Sequence, residues 1–79
     1  MNTLNHWKES ASEAFTQNGV KNNEFYFEVT AEEKDYLEEH LEELDSWCNN
    51  HFDKTPDTVR FEPFFNGVED CFTCECYFN

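Results

Sequence analysis

The chain has 79 residues, with 18 acids against five Lys and Arg and a formal net charge of −13. So acidic a surface is repelled by DNA, RNA and anionic membranes and attracted to basic clefts. Nine Phe, three Tyr and two Trp, 18% of the chain, carry too much apolar area for a disordered tail and predict one compact domain, residues 1–79, near the lower size limit for a single core.

Leu4, Trp7, Ala11, Ala14 and Phe15 recur at helical intervals, so a first helix is expected over 3–17, stopped by Asn18-Gly19. Lys21-Asn22-Asn23 is a polar connection, and residues 24–29 read as a strand with Phe25, Phe27 and Val29 on one face. Thr30-Ala31-Glu32-Glu33 has the capping-box pattern that opens a helix. The series Leu37, Leu41, Leu44, Trp47, Cys48 and Phe52 carries that helix over 31–51.

Beyond Pro56, strands are expected over 58–65 and 68–78, flanking Asn66-Gly67, the favoured pair for a two-residue type I′ hairpin. Counting out from that turn pairs Phe65 with Val68, Phe61 with Phe72 and Val59 with Cys74, and puts Arg60, Glu62, Thr73, Glu75 and Tyr77 on the opposite face. In this register Pro63 faces Asp70 and loses a ladder bond, which requires a bulge, an edge position or a different register. With the last strand in the middle, the order α-β-α-β-β gives an α+β fold. Its three-stranded antiparallel sheet carries a long acidic amphipathic helix on one face. The expected core is Phe25, Phe27, Leu37, Leu41, Leu44, Trp47, Phe61 and Phe72.

The most informative stretch lies inside the second helix, where eight acids from Glu32 to Asp45 face one lysine, Lys34. They span roughly 20 Å of helix axis, or about one negative charge per 2.5 Å, against about one per 1.7 Å along duplex DNA. Exposed helices ordinarily mix signs, because like charges four residues apart repel. Here Glu28-Glu32, Asp35-Glu39, Glu38-Glu42 and Glu39-Glu43 are like-signed neighbours. The leading expectation is therefore a non-enzymatic acidic inhibitor, a DNA mimic that occupies the basic groove of a nucleic-acid-binding protein. Its contacts would be Glu28, Glu32, Glu33, Asp35, Glu38, Glu39, Glu42, Glu43 and Asp45. Small acidic proteins of phages and mobile elements act in this way on restriction enzymes, CRISPR effectors and repair enzymes. The parallel is one of physical type, and no family motif carries it.

A second reading is an acidic protein–protein adaptor or inhibitor that binds through an aromatic sheet face containing Tyr26, Phe64 and Tyr77. The competing arrangement is that the N-terminal helix covers that face. A third is a metal or redox domain built on Cys71, Cys74 and Cys76, with Cys48, His40 and His51 as further ligands. Strand alternation argues against it, since Cys71 falls on one face and Cys74 and Cys76 on the other; buried small hydrophobes are the plainer account. No cofactor, metal, catalytic residue or direct nucleic-acid contact is expected.

No run approaches the ~20 apolar residues of a membrane span. The N-terminal residues carry no apolar signal segment. A cytoplasmic protein is expected, in the host cytoplasm if a phage encodes it, with its four cysteines reduced.

Overall fold

The fold was described from a computed structural model, which covers residues 6–78. Its elements are α1 (His6–Gln17), β1 (Glu24–Thr30), α2 (Ala31–Glu39), α3 (Leu41–Phe52), β2 (Thr58–Phe65) and β3 (Asp70–Tyr77). The beginning of the first helix, expected from Thr3 and including Leu4, lies outside the described residues. The strands form an antiparallel sheet in the order β1-β3-β2, so the α+β class and the central place of the last strand both hold.

Alternation along β1 buries Phe25, Phe27 and Val29 and exposes Tyr26 and Glu28. All three helices lay their apolar sides on the face that carries these buried residues. Trp7 of α1 stacks on Phe27 with ring centroids 6.1 Å apart, and Trp47 of α3 stacks on Phe25 at 5.7 Å. Phe52 sits between Phe15 and Phe78, 5.3 and 5.5 Å from their rings. Leu37, Leu44, Cys48, Cys74 and Cys76 complete the buried cluster, while Phe61 and Phe72 pack half-buried against it. The N-terminal helix thus joins the core on the inner side and runs along the β1 edge, where its Ser10, Glu13 and Gln17 form a groove with Tyr26, Glu28 and Thr73 of the outer face and leave Tyr26 exposed.

Two expectations are corrected. The first concerns the long acidic helix, which is two helices broken at His40, whose φ of −133° and ψ of 50° leave the helical region. There is no Gly or Pro at the break. Instead, the His40 Nδ1 donates to the Tyr36 carbonyl at 2.9 Å, the acceptor that a continuous helix would give to the His40 backbone N–H. That N–H turns to the Leu37 carbonyl at 3.1 Å. One consequence is Leu41. Its place in the apolar series predicts burial, yet past the break it is 40% exposed.

The second correction is the hairpin. Phe65 pairs with Asp70, Pro63 with Phe72, Phe61 with Cys74 and Val59 with Cys76. The turn spans residues 66–69 because the Asn66 Oδ1 accepts the amides of both Val68 and Glu69 at 2.9 Å, which widens the loop beyond a two-residue turn. The register moves by an even number of residues, so every side chain keeps its expected face. The Pro63 conflict also disappears. The Phe78 N–H donates to the Asn23 carbonyl at 2.8 Å, so the bonds toward β1 fall on Cys76, Cys74 and Phe72, and those toward β2 on Tyr77, Glu75, Thr73 and Cys71. Across from these stand Thr58, Arg60, Glu62 and Phe64. The amide position of Pro63 therefore points off the sheet edge, where proline costs no ladder bond.

Candidate acidic interface

Thr30 starts α2 as the sequence predicts. The Glu33 amide donates to the Thr30 Oγ1 at 3.1 Å, and the Thr30 amide donates to the Glu33 Oε1 at 2.9 Å. This capping box draws Glu33 inward until it is 2% exposed, with its Oε2 4.0 Å from the His6 imidazole. Glu33 belongs to the fold rather than to a partner surface, a correction to its place among the candidate contacts.

Five of the nine candidate carboxylates form one exposed series. Glu32, Asp35, Glu38 and Glu39 lie on α2, and Glu42 on the first turn of α3. Lys34 stands among them with its Nζ 3.0 Å from Glu38 and 3.8 Å from Asp35, and the same ammonium lies 5.1 Å over the Phe72 ring. The hydrogen bond that Lys34 donates to Glu38 holds the Lys34 pKa above its ordinary value. Among the described residues Glu32, Glu39 and Glu42 have no such ion pair, so repulsion is relieved in the middle of the series and not at its two ends.

The remaining candidates are placed apart. Glu43 is half-buried and accepts the Tyr36 hydroxyl, an interaction that pushes the Tyr36 phenol upward in pKa. Asp45 is half-buried, and desolvation, followed by the charge of Glu42, raises its carboxyl. Its charge adds a minor upward push to the thiols of Cys48 and Cys76. Glu28 is exposed on the outer face of β1 beside α1 and belongs to no helix, so the expected Glu28–Glu32 helical pair does not exist.

On the outer face, Tyr26 is 44% exposed and meets Tyr77 edge-on at 6.3 Å, while Phe64 lies half-buried opposite Cys71. The two phenols donate to Glu24 and Glu75, and both are raised above the ordinary tyrosine pKa by those hydrogen bonds. The cysteines divide as alternation requires. Cys48, Cys74 and Cys76 are fully buried in the core, whereas Cys71 lies on the opposite face with its Sγ 3.4 Å from the Asn66 Nδ2. The neighbouring Cys76 thiol and then burial push the Cys48 thiol far up. At Cys76 the lowering influence of Cys48 is outweighed by Cys74 and burial, so both thiols stay protonated and withhold the thiolate that a metal or an oxidant needs. Among the described residues, no three His, Cys, Asp or Glu side chains stand together as metal ligands.

The sequence offered His40 and His51 only as spare ligands of a cysteine metal site, yet the two repeat one device. His40 stacks on Tyr36 at 4.3 Å and His51 on Trp47 at 4.0 Å. Each Nδ1 reaches the carbonyl four residues back at 2.9 Å. Both pairs end a helix. The signal was present in the sequence as an aromatic residue followed four positions later by histidine. No family model, curated protein or solved structure matches the chain, and no helix of the described residues is long and apolar enough to cross a membrane.

Proposed function

We propose that this protein is a non-enzymatic acidic inhibitor that presents carboxylates in place of phosphates to the basic groove of a nucleic-acid-binding protein. One observation carries the reading: Glu32, Asp35, Glu38, Glu39 and Glu42 are exposed in series and, among the described residues, only Asp35 and Glu38 of these are ion-paired, both to Lys34, on a chain of net charge −13. Such a surface repels nucleic acid and is steered onto cationic clefts. The type of protein with this property is the phage-borne anti-restriction or anti-CRISPR inhibitor, acting in the host cytoplasm. The break at His40 bends the charged series, so the mimicry is of charge density and not of a straight duplex edge.

The test is affinity capture on the immobilised protein. Nucleic-acid-binding proteins should be retained, released by duplex DNA, and released as salt rises from about 50 to 200 mM. The triple variant Glu32→Lys, Glu39→Lys, Glu42→Lys changes exposed side chains only and should lose them. The second reading, an adaptor working through the outer sheet face, has its own support in the uncovered Tyr26, Phe64 and Tyr77. A partner that survives both salt and charge reversal, but is lost with Tyr26→Ala and Tyr77→Ala, would decide for the adaptor.

A further inference from the structure

The outer edge of β2 combines three features that the acidic series does not use. Among the described residues nothing pairs with it, because β2 is the last strand of the order β1-β3-β2. The alternation set by the Phe78–Asn23 bond turns the backbone groups of Val59, Phe61, Pro63 and Phe65 outward. Val59 and Phe61 each offer a donor and an acceptor, and Pro63 adds an acceptor. Alongside runs a groove of about 480 Å3, with Leu41, Val59, Phe61 and Phe72 as its apolar surface and Lys34, Glu38 and Arg60 at its rim. The apolar surface continues past Pro63 to Phe65, which is 64% exposed.

We propose that this edge is a docking site for an extended segment of a partner protein in which apolar residues alternate with lysine or arginine. Unpaired groups two residues apart along a strand template another strand, and alternate side chains of that strand point to one face. Here one set falls into the groove beside Leu41, Val59 and Phe61. The other set falls beside Arg60 and Glu62 on the outer face. The charge of the segment follows from the rim. Lys34 is already held by Glu38 and Asp35, and Arg60 by Glu62 at 2.8 Å, so three carboxylates stand against two cations. A second copy of the chain would bring a further −13 to the same place. A basic segment would instead relieve the repulsion. The site shares only Asp35 and Glu38 with the exposed acidic series and does not depend on the inhibitor reading.

The probe is a blocked peptide of about ten alternating Lys and Val residues, long enough for an ordinary strand. It is added to the isotope-labelled protein at moderate salt. A control peptide keeps every lysine and replaces the valines with proline. Binding of the first peptide should slow amide exchange at Val59 and Phe61 and concentrate chemical-shift changes on β2. Val59→Pro removes one outward donor and no bond to β3, and should weaken binding about tenfold. Leu41→Ser, at an exposed position, should also weaken it; if Val59→Pro fails to melt cooperatively, this variant decides. Equal affinity for the control peptide, shifts gathered on Tyr26 and Tyr77, or unchanged binding by both variants would overturn the proposal. So would a dimer of the free protein that Val59→Pro dissolves, since the occupant would then be a second copy.

Discussion

At the scale of single residues, position in a periodic series and burial are different things, and Leu37 and Leu41 separate them. Both belong to the same apolar stripe, but Leu37 is fully buried and Leu41 is 40% exposed beyond the His40 break. Leu37→Ala should cost about 2–5 kcal/mol, the range for truncating a buried leucine, and Leu41→Ala less than about 1 kcal/mol. Chemical denaturation of the two variants checks this, and equal losses would mean that the break does not expose Leu41. Glu33 teaches the converse. It sits in the most acidic stretch of the chain, yet its carboxylate is committed to the backbone of Thr30.

At the scale of elements, side-chain hydrogen bonds decided what periodicity left open. Asn66 made the hairpin loop wider than its Asn-Gly pair predicts, and His40 divided a helix whose apolar stripe is continuous. Asn66→Ala removes the acceptor of two loop amides and should cost about 1–2 kcal/mol, as for two modest hydrogen bonds. An unchanged melting temperature would show that the loop does not depend on that side chain. The capping box, by contrast, was legible in the four letters Thr30 to Glu33, because both of its bonds are local.

At the scale of the whole molecule, the net charge of −13 sets the response to pH and salt. Asp45 is the group whose raised carboxyl makes the sign definite, through burial first and Glu42 second. Its folded state takes up a proton more readily than the unfolded chain. Stability should therefore rise as pH falls from neutral through the raised folded value, and stop rising below the unfolded value of about 4. Asp45→Asn should melt higher than the parent at neutral pH and gain less on acidification. Added salt should stabilise both by screening the exposed carboxylates. A parent protein that loses stability steadily between neutral pH and about pH 5 would show that favourable partners hold the carboxylates.

The element types, their order apart from the division of the second helix, the central place of the last strand and the faces of the sheet residues were readable from the sequence. Each rests on a local period, a cap, or an alternation that even a register shift preserves. The lone cation of the acidic stretch and the split of the cysteines between two faces were readable for the same reason. What the tertiary structure decided was which acids remain in solvent, where the long helix breaks, and which way Pro63 points. It also decided that all three helices share one face and leave both the tyrosines and the β2 edge uncovered. The packing of the helices depends on contacts between residues far apart in the chain, such as Trp7 with Phe27 and Trp47 with Phe25, which no window of neighbouring letters contains. The break at His40 and the Asn66 loop turn instead on local side-chain bonds that override the regular pattern.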